Sequence, residues 1–198
     1  MRSLRFPVLV VDDGSSDGTP GKIKNLDVHS ILSLKNKGKG ASLRKGFEWF
    51  LGQNYSALIL MDADGQHDPT QLSSFMKKLE EADFVIGNRM QDPHGMPWLR
   101  RMTNRCMSWM ISAIAGQKIP DTQCGYRAIT REALQKIQLR TTNFEIESEM
   151  LLEAARRGLV IRSVSIRSVY EGETSHIRPL RDTIRFFKFI FEFLSRKK

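Results

Sequence analysis

Short apolar runs that stop at clusters of carboxylate, glycine and basic residues recur along the chain. The run at 57–61, Ala-Leu-Ile-Leu-Met, reads as a buried parallel strand and stops at Asp62-Ala63-Asp64-Gly65-Gln66. Asp68-Pro69 then supplies an N-cap and a proline at the first helical position, which predicts a helix to about residue 80. Residues 8–11 are valine-rich and predict a strand ending in the turn Asp12-Asp13-Gly14-Ser15-Ser16-Asp17. A second strand at 28–34 leads through Asn36-Lys37-Gly38-Lys39-Gly40 into a helix at 41–51, with Leu43, Phe47 and Phe50 on one side. Residues 84–86 form a further short strand that ends in Gly87-Asn88-Arg89. Helical spacing marks 98–115 and 144–157; on the first, Met102, Met107, Trp109, Met110, Ile111 and Ile114 read as core rather than as a lipid groove. Residues 160–169 alternate as a strand, and 171–179 form a polar loop. Strand, polar exit and helix in repetition predict an α/β fold with a mostly parallel sheet.

The last predicted helix, 182–195, is apolar almost all round, with a polar stripe of only Arg185, Lys188 and Glu192. It is too short to span a bilayer. Two placements fit it. It can lie in a membrane interface with its basic groups at the headgroups, or it can pack on the core or another helix. The organisation expected is therefore one domain over 1–180 and a tail helix over 181–198.

Composition changes this picture in two ways. The 198 residues carry a net charge of +9, which suits anionic partners such as nucleotide diphosphates, lipid phosphates, an anionic membrane surface or nucleic acid. Cys106 and Cys124 have neither metal-binding spacing nor a disulfide framework, which suits a reducing, cytoplasmic setting. No signal-peptide pattern, repeat or low-complexity tract is visible.

The candidate chemistry sits at the strand exits. Asp62 and Asp64 can converge on one hard cation, Mg²⁺ or Mn²⁺, with Gln66 adding a neutral oxygen; the plainer reading is a polar turn before a capped helix. Asp12 or Asp13 can accept hydrogen bonds from a base or a ribose, or can merely cap a helix. The loop 36–40 can hold phosphate on its backbone N–H groups, although it lacks Walker A spacing, or can be a charged flexible loop. Arg89 can clamp a phosphate or form a surface ion pair. Glu145, Glu147, Glu149 and Glu153 enrich the start of a helix in acid, which stabilises it through the dipole.

Taken in order, VLVVDDGSSDGT, NKGKGASLRKGF, LILMDADGQHDP, FVIGNR, DTQCGYRAIT, FEIESEMLLEAARRG and SHIRPLRD cover nearly the whole chain. This ordered set resembles family 2 glycosyltransferases of the GT-A fold, of the dolichyl-phosphate or polyprenyl-phosphate mannosyl- or glucosyltransferase type. The resemblance implies a three-layer α/β/α catalytic domain over 1–180. It implies metal-dependent, inverting transfer of a hexose from a nucleoside diphosphate sugar to a polyprenyl phosphate, with no nucleic-acid partner. It implies that Asp62 and Asp64 hold Mg²⁺ or Mn²⁺ with Gln66, and that Asp12 or Asp13, Lys39, Asp62 and Ala63 meet the donor. Arg89, with Arg101 or Arg105, would meet donor or acceptor phosphate, and Asp121, Arg127 and Glu149 would line the acceptor side. Ser175, His176 and Arg178 would lie on a loop that closes over the donor.

Members of that family begin with an earlier strand and helix carrying a Pro-x-Tyr-Asn-Glu-like stretch, for which residues 1–7 leave no room. The expectation is an N-terminally truncated GT-A domain, with a bare strand edge at 8–11, a tendency to self-associate and a weakened donor pocket. A non-catalytic nucleotide-sugar-binding relic is the alternative. A phospho-receiver domain would also place an acidic pair and a later Asp on one Mg²⁺ site, but it leaves the motifs from Arg89 onward unexplained.

Overall fold

The computed structural model describes residues 6–93, 95–167 and 179–195, and of residues 179–184 the backbone alone. The elements run β1 (Leu9–Asp12), α1 (Thr19–Lys24), β2 (His29–Leu32), α2 (Lys39–Leu51), β3 (Ala57–Leu60), α3 (Leu72–Lys78), β4 (Phe84–Asn88), α4 (Trp98–Ala115), β5 (Arg127–Thr130), α5 (Arg131–Lys136), α6 (Glu145–Arg156), β6 (Ile161–Ser165) and α7 (Pro179–Ser195).

Two sheets carry the strands. In the first, β1 pairs with β2 in parallel, from Leu9 opposite His29 to Asp12 opposite Leu32. Among the described residues β1 has no strand on its other edge. The second sheet has the order β3-β5-β4-β6. There β4 and β6 are parallel, while β5 runs antiparallel to both β3 and β4. Three of its four strands thus point the same way, as expected, and the reversed strand is inserted between two of them. The reading of 57–61 as a buried parallel strand needs correcting. β3 is half-buried, lies at a sheet edge and pairs antiparallel with β5. Its unbroken apolar run reflects the covering of both faces rather than a central place in a parallel sheet.

The core is built from β4 outward. Phe84, Val85 and Ile86 are fully buried, as are Ile146, Met150 and Leu151 of α6 and Ile111 of α4. α6 packs against α2, α4, α7 and β6, while α3 packs against β4, β5 and β6. The cap at Asp68 forms as the sequence predicts: its Oδ1 accepts from Thr70 N at 2.9 Å, with Pro69 in the first helical position. The helix it opens begins as a single 3₁₀ turn, Pro69–Gln71, and ends at Lys78.

The tail helix takes the packed placement. Phe186, Phe189, Ile190 and Phe193 are buried, each contributing roughly 1.5–3 kcal/mol of apolar burial. The Arg156 guanidinium lies 4.2 Å from the centre of the Phe193 ring and donates to the Phe193 carbonyl at 3.1 Å. Phe187, Phe191 and Leu194 stay exposed on the other side. No described helix is long and apolar enough to cross a membrane.

Candidate active site

The reversal of β5 builds the site. Because β5 runs against β3 and β4, its first residue, Arg127, lies opposite Leu60 at the end of β3 and Ile86 near the end of β4. The segment feeding β5, residues 121–126, therefore lands at the exits of both strands, where Asp62 and Arg89 sit. Crevices at strand exits are where α/β sheets bind ligands.

At the β3 exit, Asp62 Oδ1 lies 2.7 Å from Lys39 Nζ, and the same nitrogen lies 2.7 Å from Glu147 Oε1. Lys39 is the first residue of α2 and Glu147 belongs to the first turn of α6, so two helix starts and one strand end meet here. Burial alone would favour the neutral amine of Lys39, but Glu147 and Asp62 outweigh it and raise its pKa. Gly125 lies against Asp62 so closely that a Cβ there would stand 2.1 Å from Asp62 Oδ2. Asp64, exposed, accepts from the Gln66 amide at 3.0 Å, and Gly65 turns the chain with a φ of +79° that favours glycine. Ala63 is exposed between the two aspartates. A small cleft of about 40 Å³ is lined by Lys39, Asp62, Gly125, Arg127 and Glu147 with apolar neighbours.

Asp62, Asp64 and Glu147 against Lys39 leave two formal negative charges, the charge of one divalent cation. Among the described residues no three His, Cys, Asp or Glu side chains converge as a complete cage. Mg²⁺ at substrate sites takes one or two protein carboxylates and completes its shell with substrate phosphates and water. The Lys39 ammonium on Asp62 shows that this carboxylate accepts a cation at close range. The donor set therefore fits Mg²⁺ or Mn²⁺ held by Asp62 and Asp64, with Gln66 next to them.

The other residues singled out from the sequence divide into groups. The loop 36–40 does hold an anion on its amides, and the anion is internal. Asp13 Oδ1 accepts from Lys37 N at 3.0 Å and Oδ2 from Gly38 N at 2.7 Å. Gly38 and Gly40 are needed for closeness to Thr142, whose backbone a Cβ at either would approach to 2.8 Å or less. Asp12 closes its own turn, accepting from Gly14 N at 3.1 Å and Ser15 N at 3.0 Å, and the hydrogen bonds from Ser15 hold its pKa below the usual value. Arg89 is only 3% exposed and meets Asp121 through Nε at 2.7 Å and a terminal nitrogen at 2.9 Å. The two-pronged partner of this guanidinium is thus a buried carboxylate beside the cleft. Arg127 donates to the carbonyls of Thr122, Cys124 and Glu147, tying the segment beside Asp62 to the start of α6. Glu149 is fully buried, and its Oε2 accepts from Arg140 N, Thr141 N and the Thr141 hydroxyl at 2.8–2.9 Å. Arg101 and Arg105 lie exposed on the outer side of α4. Ser175, His176 and Arg178 fall outside the described residues.

Three neighbours of Asp62 and Asp64 carry no sequence signal that separates them from structural residues. Glu147 looks like a dipole-stabilising residue, and Gly125 like a turn glycine. His67 is 8% exposed, with its ring 5.2 Å from that of Tyr126, which stacks on Phe75. Its Nδ1 has no hydrogen-bond partner. Burial lowers the His67 pKa, and Asp62 and Asp64 oppose that only in part, so the ring is neutral at pH 7.

Residues 2–138 match the model of glycosyl transferase family 2. The chain is 34% identical over 182 residues to the glycosyltransferase AglJ of Haloferax volcanii, covering 88% of this chain and 58% of the relative. It is 38% identical over 143 residues to the polyprenol monophosphomannose synthase of Mycolicibacterium smegmatis, covering 67% of this chain and 54% of the relative. It thus spans little more than half the length of either. Glucosyl-3-phosphoglycerate synthase of Mycobacterium tuberculosis, solved with Mn²⁺, UDP-glucose and phosphoglyceric acid, matches over 92% of this chain and 65% of its own. The TM-score is 0.68 at 16% identity, a likeness of fold that bears out the GT-A expectation. With the family model matching well over half of its residues, the chain belongs to glycosyl transferase family 2.

Proposed function

We propose that this chain transfers a hexose, with inversion, from a nucleoside diphosphate sugar to a polyprenyl phosphate, using Mg²⁺ or Mn²⁺. The observation that carries the reading is the convergence of Asp62 at the β3 exit with Lys39 and Glu147 beside a cleft, with Asp64 two residues on. The names of the relatives suggest the lipid acceptor, and the Mn²⁺ and UDP-glucose bound in the solved neighbour suggest the metal and the class of donor.

Asp62 and Asp64, with Gln66 beside them, would hold the cation where the donor diphosphate binds. When bound there, that cation would supply neutralisation of the charge that develops on the leaving nucleoside diphosphate. Lys39 keeps Asp62 oriented and, next to the diphosphate, adds a second positive charge. An oxygen of the acceptor phosphate attacks C1 of the sugar as the bond from C1 to the diphosphate oxygen breaks, and the electron pair leaves with the nucleoside diphosphate. A phosphate monoester is already an anion at neutral pH, so the step depends on placement more than on a general base. Arg89, held by Asp121, acts by positioning the segment that ends at Gly125. Asp12 or Asp13 contacts the donor base from the first sheet, and the enzyme works at the cytoplasmic face of a membrane.

Calorimetry with UDP- and GDP-sugars, with and without Mn²⁺, tests the reading. Binding should require Mn²⁺ and should be lost in Asp64→Ala, whose exposed side chain leaves the fold intact. Undiminished Mn²⁺-dependent affinity in that variant would refute it.

A further inference from the structure

One ammonium group is shared between two carboxylates beside the cleft. Lys39 Nζ lies 2.7 Å from Asp62 Oδ1 and 2.7 Å from Glu147 Oε1. The other Asp62 oxygen backs onto Gly125, where a single added carbon would stand 2.1 Å from Oδ2 and 3.1 Å from Oδ1. The oxygen farther from that wall is the one that carries the ammonium. A divalent ion on Asp62 would therefore meet the ammonium on the same carboxylate, and like charges at that range repel strongly.

The three partners are not held alike. Glu147 sits in the first turn of α6 with 12% of its side chain exposed, and α6 packs on α2. Asp62, at the β3 exit, has 34% of its side chain exposed. Lys39 carries its charge on a flexible four-carbon stem with three donors. The ammonium can therefore give up Asp62, turn to another anion and keep Glu147.

We propose that Lys39 is a built-in counterion that holds Asp62 until the phosphates of a donor draw the ammonium away, so that cation and donor are taken up together. This role rests on the donor and the cation proposed for Asp62 and Asp64. Asp62, Asp64 and Glu147 carry three negative charges at close quarters, and the Lys39 ammonium quenches part of their repulsion. A cation arriving alone meets a like charge already seated on its ligand. A diphosphate changes that balance in two ways. It gives Lys39 a new acceptor within reach of its stem, and it returns to Asp62 the oxygen that the cation needs. Glu147 is the tether: it keeps the ammonium beside the cleft while Asp62 changes partner.

Mn²⁺ binding without nucleotide, read by electron paramagnetic resonance of the free ion, tests this. The deciding variant is Lys39→Met/Glu147→Gln. It removes one charge of each sign, so the net charge of the site stays as it is while Asp62 Oδ1 loses its ammonium. It should bind Mn²⁺ about tenfold more tightly than the parent, or tighter still. Lys39→Met alone, which also leaves an added negative charge, should bind Mn²⁺ at least as tightly as the double variant. Lys37→Met, at an exposed position two residues away, controls for bulk charge and should stay within about twofold of the parent. In the parent, UDP or GDP should tighten Mn²⁺ binding by a factor that the double variant largely loses. Unchanged or weaker Mn²⁺ binding in variants whose circular dichroism matches the parent would overturn the role, as would an equal gain in Lys37→Met. So would a parent that binds Mn²⁺ as tightly alone as with a nucleotide it demonstrably binds, a result that needs no variant to fold. Failure of both UDP and GDP to bind the parent would refute the donor reading instead, and the nucleotide-free comparison would still decide whether Lys39 blocks Asp62.

Discussion

Gly125→Ala isolates the arrangement around Asp62 in a single methyl group. A Cβ at 125 would stand 2.1 Å from Asp62 Oδ2, 2.7 Å from Cγ and 3.1 Å from Oδ1. Ordinary contact begins near 3.4–3.5 Å, so the carboxylate must retreat by about 1.3 Å. Gly125 has no positive φ, so its backbone accepts alanine without strain, and the effect falls on the side chain it meets. Asp62 is free to rotate towards solvent, and stability should fall by no more than about 1–2 kcal/mol. The site has less tolerance. The retreat breaks the 2.7 Å pairing with Lys39 and moves the first carboxylate away from the second. Misplacement of about 1 Å costs on the order of 10²-fold in rate, and loss of ligand orientation costs about 10–100-fold in metal affinity. Mn²⁺ binding followed by electron paramagnetic resonance, with UDP present, reads the second effect directly. Gly21→Ala is the matched control, since a Cβ there meets nothing within 4 Å inside α1; it should gain about 0.5–1 kcal/mol and leave Mn²⁺ binding untouched. Parental Mn²⁺ affinity in Gly125→Ala would refute the proposed role of Asp62 in holding the cation.

Two further outcomes are expected. Asp121→Ala removes the carboxylate that accepts from the Arg89 guanidinium and from its backbone amide, and should cost about 1.5–3 kcal/mol in urea unfolding; a loss under about 0.5 kcal/mol would contradict the burial of this pair. Burial pushes the Cys124 thiol up to about 12. It therefore stays protonated and adds no pH dependence to stability below its ordinary value near 9, because the folded and unfolded forms then both carry the proton. Iodoacetamide at about pH 8 should modify exposed Cys106 and reach Cys124 only after unfolding, as mass spectrometry would show. Native labelling of Cys124 would contradict its placement.

Much of this architecture is local and was legible in the residues. Apolar runs that end in Asp-x-Asp mark β3 and its exit, Asp68-Pro69 marks a helix start, and the phenylalanine-rich tail is a helix whose inner residues pack on α6. These features depend on neighbours a few positions apart, through steric preference, capping and periodicity. What tertiary structure decided depends on pairings between distant parts of the chain. β5 is four residues long and lacks a clear alternation, so nothing local announces that it runs backwards between β3 and β4. That reversal alone delivers Gly125 to Asp62 and Asp121 to Arg89. In the same way, only the meeting of α2 and α6 turns Glu147 from a dipole-stabilising residue into the second partner of Lys39. The amides of residues 37 and 38 could hold any anion, and the fold gives them Asp13. A side chain's chemistry is written in the sequence, but its partner is set by which backbone segments pack together.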